Sequence, residues 1–456
     1  MSFKISKFFL YAAVFAITLV TTSTLFPFIV GKYAWFRSSV DFALIFFLVG
    51  LIKESDGNAY LERFRRVIKS PLGIAVSAFT LMFLLAGTFG VNPANSFWSN
   101  FERGEGGLQI IHLYGFFLLL ATLFNEEKNW IKIFWCSFAT AFISIGYGFL
   151  AGWGVNNIIG PAFGTPNFRF QGSIGNPAYF ATYMIFMLFF ALYLLFTKYR
   201  GQIRSVKGLP IVFSVLVFAV FLFLAATRGA FLALIVSSVF FLGFLAFSKK
   251  EWRKWLIGLA VFVVLFVSAM VVLKDNPLVK KLPFARVFDI SFSAQTFSDR
   301  RVIWKMAWDG FKERPVLGMG PENFLYVFDH NFNTTYYQPP AQFGAWFDRA
   351  HNIIFDYLAE IGILGTLAYL SIFIVFYVEF LRRGREKHAV RADAPKMTGL
   401  PAAAKAVIFA LPVAYFVQGM VLFDILPTYL NIFLFFGFAY YLLNPSQTKE
   451  HKTNEQ

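Results

Sequence analysis

LPIVFSVLVFAVFLFLAATRGAFLALIVSSVFFLGFLAF, residues 209–247, is the stretch of sequence that decides the fold. A helix of roughly 20 apolar residues crosses the hydrocarbon core of a bilayer, so this stretch is long enough to cross it twice. Its only charged side chain is Arg228, and Thr227, Arg228 and Gly229 are the residues at which the chain can turn. The stretch therefore predicts two membrane helices joined by a tight turn at Arg228.

The whole chain has the composition of a membrane protein. Of its 456 residues, 58% are hydrophobic, 20% aromatic and 14% charged, whereas soluble domains have about 45–50% apolar and about 25% charged residues. This composition excludes a single soluble globule and predicts an all-α, polytopic membrane protein with about twelve transmembrane helices. The predicted spans lie near residues 8–30, 38–52, 71–90, 106–124, 133–152, 177–197, 209–227, 229–247, 256–273, 352–381, 405–423 and 429–443. The first run is too long for the apolar region of a signal peptide, so we assign it to the first helix.

The charges indicate which side of the membrane each segment faces. Of the 41 Lys and Arg residues, 26 lie in the segments on the same side as the N-terminus, five in the short segments opposite, and ten in one long loop. Lys and Arg collect in cytoplasmic loops, while long loops cross the membrane regardless of charge. Both termini are therefore expected in the cytoplasm, and the net charge of +16 marks sidedness rather than nucleic-acid binding. The single cysteine, Cys136, excludes a disulfide framework and a thiolate metal site.

The spans divide the chain into four parts. Residues 1–273 hold nine helices, residues 274–350 form one large extracytoplasmic loop, residues 351–443 hold three more helices, and residues 444–456 form a polar cytoplasmic tail. Most connections are about 4–6 residues long, so a loop of this size is functional or disordered. Its tryptophans and glycines favour an ordered loop that contains short amphipathic helices.

Two helices are predicted within the loop. The first carries an apolar stripe at helical spacing, which would lie along the membrane surface or cover the bundle: Ile303, Trp304, Ala307, Trp308 and Phe311. Pro315 is expected to end this helix, and Gly318 and Gly320 to form a tight link. Pro321 and Glu322 suit the first turn of a second short helix that runs towards His330.

Arginines recur on the predicted outer side, each near a membrane boundary: Arg103, Arg169, Arg228, Arg300, Arg301 and Arg349. An arginine inside the membrane costs at least about 2.5–3.5 kcal/mol, so Arg228 is expected to face a polar cavity or an anion. The alternatives are that Arg228 reaches the interface or pairs with Glu360. Arg300 or its neighbour Arg301 offers a guanidinium that can bind phosphate through two hydrogen bonds, although a solvated charge pair explains them nearly as well.

His351 stands where the long loop re-enters the membrane, next to Arg349 and Asn352. An imidazole accepts a proton from an alcohol near neutral pH and needs no metal to do so, which makes His351 a candidate general base. The simpler interpretation is that His351 caps the following helix or is a satisfied polar group.

These residues occur in an order that resembles the O-antigen ligase and polymerase superfamily. The resemblance runs from about Arg103 to Gly365 and rests on the following motifs: Gly172-x-x-Gly175-Asn176-Pro177, Thr227-Arg228-Gly229, Arg300-x-x-Ile303-Trp304, Pro315-x-x-Gly318-x-Gly320-x-x-Asn323-Phe324, His351-Asn352 and Glu360-x-Gly362-Ile363-Leu364-Gly365. It implies a GT-C-like membrane fold in the bacterial inner membrane. It also implies metal-independent, inverting glycosyl transfer without a cofactor.

The resemblance further implies the partners and the residue roles. The donor would be a glycan on undecaprenyl pyrophosphate, the acceptor a hydroxyl of a glycan, lipid or protein, and the surroundings membrane lipids, with no nucleic acid. Arg228 and Arg300, or Arg301 in place of Arg300, match the arginines that hold the pyrophosphate, and His351 matches the histidine that acts on the acceptor. Further candidate substrate-binding residues are Arg103, Arg169 and Asn352.

One position departs from the pattern of many ligases that attach O-antigen to the lipid A core. Those proteins carry two adjacent histidines, whereas Ala350 precedes His351 here. The departure leaves polysaccharide polymerase, surface-polysaccharide ligase and protein glycosyltransferase open. Two other classes compete with an enzyme: a lipid or polysaccharide transporter or flippase, and a non-catalytic partner of an export complex. The absence of visible half-chain repeats counts against a transporter.

Overall fold

The computed structural model describes residues 1–100, 104–151, 169–280, 285–288, 295–332, 346–384 and 396–444. Arg103 lies outside these residues. Every regular element in the described part of the chain is helical, which confirms the predicted all-α class.

The described residues up to Ser248 form ten helices. They are α1 Ser2–Ala13, α2 Val30–Lys53, α3 Gly57–Lys69, α4 Pro71–Thr88, α5 Pro93–Trp98, α6 Gly107–Leu123, α7 Glu127–Leu150, α8 Pro177–Phe196, α9 Leu209–Leu224 and α10 Arg228–Ser248. Seven follow: α11 Arg253–Val272, α12 Pro277–Lys280, α13 Gln295–Glu313, α14 Phe324–His330, α15 Ile353–Gly384, α16 Ala402–Gly419 and α17 Leu426–Leu443.

Nine helical segments within the described ranges are long and apolar enough to cross a membrane, and α6 and α9 are shorter apolar helices. The chain is therefore a polytopic membrane protein. The helices differ in how far the protein encloses them. Every residue of α17 is buried, whereas α11 has no buried residue although it is strongly apolar. An apolar helix that packs on α10 but keeps every residue at least partly exposed suits a lipid-exposed position at the edge of the bundle.

The first predicted span, residues 8–30, is wrong in its extent. Helix α1 ends at Ala13, a 3-10 turn follows over Val14–Thr18, and α2 begins at Val30 rather than near residue 38. Between them, the Thr24 hydroxyl donates to the carbonyl of Thr21 at 2.8 Å. Threonine hydroxyls that bond to nearby backbone compete with helix formation, which explains the break in an apolar run.

The turn predicted at Arg228 is confirmed. Helix α9 ends at Leu224 and α10 begins at Arg228. Ala226, between them, has a φ of 46°, a left-handed conformation that lets the chain reverse within three residues. Arg228 is therefore the first residue of a helix and lies at the end of the helical pair.

The segment after α13 pairs with a break inside α15. Helix α13 ends at Glu313, as Pro315 predicted. The amide of Met319 donates to Ala359 O at 2.9 Å and the amide of Ile363 donates to Pro315 O at 2.8 Å. Gly362 interrupts α15 with a φ of 63°, and a Cβ there would lie 2.4 Å from Val316 O. The close approach of two backbones explains why this motif needs glycine.

The start predicted for the second loop helix is wrong. Helix α14 begins at Phe324, not at Pro321. Glu322 has a φ of 65° and cannot belong to a right-handed helix. Its side chain is instead turned towards the bundle. The stripe of α13 is confirmed in part, because Ile303 and Ala307 are buried while Trp308 is 45% exposed. Helices α13 and α14 share one apolar core with Ala350 and Ala359, among others.

Candidate active site

A buried ion-pair cluster anchors the segment that precedes α15. Arg349 is 5% exposed, and its guanidinium donates to Glu360 Oε1 at 2.5 Å and to Glu322 Oε1. Ser99 in turn donates its hydroxyl hydrogen to the other Glu322 oxygen at 2.6 Å. Burial by itself lowers the pKa of the Arg349 guanidinium. The negative charges of Glu322, Glu360 and nearby aspartates outweigh this effect and raise the pKa well above its ordinary value. Arg349 therefore stays charged.

The residues on either side of His351 are also fixed. The amide of Ala350 donates to the Asp356 carboxylate at 2.5 Å. Asn352 caps α15, because its Oδ1 accepts from the amide of Ile354 at 3.0 Å. The Asn352 amide group donates to Met420 O, also at 3.0 Å. Asn352 is thus 2% exposed and joins the start of α15 to the end of α16.

His351 itself has a φ of 54°, the left-handed conformation that non-glycine residues adopt rarely. Its ring packs edge-on between two aromatic rings, with centroid distances of 5.3 Å to Phe347 and 5.1 Å to Phe423. Its Nδ1 lies 3.1 Å from Arg349 O. A carbonyl oxygen only accepts hydrogen bonds, so a hydrogen bond here requires the proton on Nδ1, and Nε2 of the neutral ring then has the lone pair.

Helix α13 brings the arginine pair to this segment. The indole of Trp304 donates to Ala350 O at 3.1 Å and stacks on Phe355 with centroids 5.6 Å apart. Arg300, one helical turn before Trp304, is half-buried, and burial lowers the pKa of its guanidinium. Arg301 is exposed. The two neighbours therefore occupy different environments, which the sequence did not reveal.

Arg169 and Arg228 meet at the turn between α9 and α10. Arg169 donates to the Thr227 hydroxyl at 2.9 Å and to Ala225 O at 3.3 Å. Arg228, the next residue after Thr227, is half-buried. Arg169 therefore supports the turn that presents Arg228. Glu360, the partner considered for Arg228 from the sequence, is engaged by Arg349 instead.

Gly229 allows α16 to approach this turn. A Cβ at Gly229 would lie 2.5 Å from the Val421 side chain and 2.7 Å from Gln418 Oε1. The chain segment that packs here continues to Met420, which accepts the hydrogen bond from Asn352. The segment of Arg300 therefore contacts the segment of His351 directly, and the segment of Arg228 contacts it through the end of α16. Arg103 lies outside the described residues.

Sequence reasoning missed the residues that hold the site together. Arg349 was grouped with the outer arginines but not selected, and Glu322 was assigned to a helix start. The sequence indicated Glu360 only as a possible partner of Arg228 and as part of a motif, and it indicated no role for Asp356. The one signal available was the presence of ionisable residues next to a membrane helix, since such residues face the protein interior and pair with one another.

Comparison with known families adds an independent finding. Residues 212–370 match the family model described as O-antigen ligase. This segment of the chain is similar to the O-antigen ligase family. The matched segment contains Arg228, Arg300, Arg301, His351 and Asn352, as well as the glycines at positions 318, 320 and 362. Arg169 lies outside it. No curated protein matches the chain.

We predict that Arg349→Met destabilises the fold. Removing one partner of a buried ion pair leaves an uncompensated charge and costs about 3–5 kcal/mol. The measurement is the free energy of unfolding of the purified protein in detergent. Arg382→Met is the matched control, because the Arg382 side chain is 76% exposed and lies 3.8 Å from Glu379. Exposed pairs contribute about 0–1 kcal/mol. Equal stability of both variants would contradict the structural role of Arg349.

Proposed function

We propose that this protein transfers a glycan from an undecaprenyl-pyrophosphate donor to an acceptor hydroxyl on the extracytoplasmic face of the membrane. The observation that carries the proposal is the placement of the His351 ring, whose Nδ1 lies 3.1 Å from Arg349 O. A hydrogen bond at this position requires Nδ1 to donate, and Nε2 of the neutral ring is then the proton acceptor. The segment that carries Arg300 contacts the His351 loop directly, and the segment that carries Arg228 contacts it through the end of α16. Guanidinium groups bind phosphate oxygens.

The donor side of the proposed reaction needs a clamp for the leaving group. Arg228 and Arg300 bind the two phosphates and neutralise the charge that develops as the bond to the sugar breaks. Arg169 acts indirectly, because it holds the Thr227 turn rather than the donor. In this mechanism the guanidinium groups supply the positive charge, so the transfer proceeds without a metal.

On the acceptor side, Nε2 of His351 takes the proton of the hydroxyl group. The acceptor oxygen then attacks the anomeric carbon of the donor sugar from the face opposite the pyrophosphate. A new glycosidic bond forms, the bond from carbon to the phosphate oxygen breaks, and its electron pair leaves with the pyrophosphate. Configuration at the anomeric carbon is inverted. Polymerase, surface-polysaccharide ligase and protein glycosyltransferase activities all share this chemistry, and they differ in the acceptor.

The proposal requires the site to face outward and both termini to face the cytoplasm, in the bacterial inner membrane. Alkaline phosphatase fused at the two ends of the lipid-exposed helix α11 tests this arrangement, because the enzyme is active only outside the cytoplasm. A fusion after Asp275 is expected to be active, and fusions after Lys250 and Gln456 to be inactive. The reverse pattern would invert the topology and place the site in the cytoplasm.

The donor clamp is tested with Arg228→Lys and Arg300→Lys. Each keeps the charge but loses the paired geometry of the guanidinium, so the KM for the lipid-linked donor is expected to rise by roughly 10- to 100-fold. The alanine variants should be weaker still. Arg301→Ala is the matched control, because Arg301 is exposed beside half-buried Arg300. Full activity of Arg228→Ala at normal protein levels would remove Arg228 from the site.

The base is tested with His351→Asn and His351→Ala. General base catalysis contributes about 10² to 10⁴ in rate, and both variants should lose that much kcat while they still bind the donor. Asparagine is the sharper test because it tolerates the φ of 54° at this position better than alanine does. If His351→Asn keeps most of the activity, His351 orients or caps and does not accept the proton.

A further inference from the structure

A cavity of about 200 Å³ lies beside the site, between the start of α2, the start of α8 and the start of α17. Its lining combines charged, amide and aromatic groups, among them Lys32, Tyr33, Glu105, Asn176 and Tyr179. Asn176 belongs to the Gly172-x-x-Gly175-Asn176-Pro177 motif, to which the proposed reaction assigns no role. Ligand pockets of drug size are about 300–1,000 Å³, so this cavity is on the scale of a single small ring.

Lys32 is the residue of the cavity whose burial is least favourable for the stability of the fold. It is 2% exposed, and its ammonium donates to Ser173 O at 2.8 Å and to Leu19 O. An ammonium has three donors. Lys32 forms no ion pair within the described residues, and a buried charge without a partner is costly. A third donor at a cavity wall is available for a ligand.

The rest of the lining decides which ligand fits. The Glu105 carboxylate accepts from the amide of Leu426 at 2.6 Å and lines the same cavity. A carboxylate in the same lining disfavours a phosphate in the cavity, because it repels an anion. A sugar ring suits both charges, since its hydroxyls donate to one and accept from the other. Its C–H face packs on aromatic rings such as those of Tyr33 and Tyr179.

The cavity is close to both parts of the proposed site. Tyr179 packs on Phe423 with ring centroids 5.6 Å apart, and Phe423 packs on His351 with centroids 5.1 Å apart. On another side, the Thr227 hydroxyl donates to Pro177 O at 3.3 Å, and Thr227 precedes Arg228. The rings of Tyr179 and Phe423 therefore connect the wall of the cavity to the histidine.

We propose that this cavity is a sugar-binding subsite that holds one ring of the glycan substrate, through Lys32, Glu105 and the tyrosines. The assignment as a substrate subsite rests on the proposed glycosyl transfer. The ring belongs either to the donor glycan or to the acceptor glycan, which share this chemistry. The motif at residues 172–177 gains a function: Gly175 has a φ of 79° and Asn176 caps α8, so the motif shapes the cavity wall.

Saturation-transfer NMR on the purified protein tests binding without any need for transfer activity. The probes are the methyl glycosides of a hexose, an N-acetylhexosamine and a hexuronate. At least one should give a signal with the unmodified chain and with Leu25→Trp, and lose it with Ile29→Trp. Ile29 lines the cavity, whereas Leu25 is 86% exposed on the same segment. Lys32→Gln should weaken binding about tenfold.

Two results would overturn the subsite: no glycoside binds the unmodified chain, or Ile29→Trp binds as well as Leu25→Trp does. Displacement of the bound glycoside by inorganic pyrophosphate in the unmodified chain, but not in Arg228→Ala, would place the probe at the donor clamp and would also overturn it. If the unmodified protein shows no transfer activity, the proposed reaction is refuted, but sugar binding measured by NMR remains valid.

Transfer kinetics of Ile29→Trp then identify the source of the ring. A KM raised at least tenfold for the lipid-linked donor alone assigns the cavity to the donor glycan, and the same rise for the acceptor alone assigns it to the acceptor. Leu25→Trp should change neither value. If both KM values of Ile29→Trp equal those of the unmodified enzyme, the cavity is not a substrate subsite.

Discussion

The buried guanidinium of Arg349 is the interaction on which the candidate site depends. Its two carboxylate partners come from different elements, Glu322 from the link between α13 and α14 and Glu360 from α15. Charges taken out of water lose several kcal/mol each, so the three side chains are stable there only together. The cluster therefore fixes the loop against the bundle, and the loop carries His351 two residues after Arg349. The same two elements are also joined by their backbones, because the amides of Met319 and Gly320 donate to the carbonyls of Ala359 and Glu360.

Much of the helical architecture could be predicted from the sequence, because apolar length alone determines where a chain can cross a bilayer. The turn at Arg228 and the end of α13 before Pro315 are local features, and both were predicted correctly. The first span was not, because the hydroxyls of Thr21 and Thr24 compete with the helix inside an apolar run. Averaged hydropathy does not register that competition.

The candidate site was predictable only as a set of residue types near a membrane boundary. Which of Arg300 and Arg301 is buried depends on how α13 rotates against Ala350 and Phe355, and that is a tertiary property. The partners of Arg349 lie 27 and 11 residues away, and Lys32 meets Ser173 across 141 residues. Pairings over such separations leave no local pattern in the sequence. The sequence therefore predicted candidate site residues but not the contacts between them.

The left-handed backbone at His351 shows how the fold positions a reactive group. A non-glycine residue at a φ of 54° costs roughly 1–2 kcal/mol and persists only when its neighbours fix the backbone. Here Arg349, the Ala350 amide and Asn352 are each bonded to a different partner, so the strain cannot relax by movement of one side. The ring is then confined between Phe347 and Phe423, with Nδ1 committed to the backbone. Since Phe423 also contacts Tyr179, the position of the imidazole and the wall of the 200 Å³ cavity are set by the same aromatic ring.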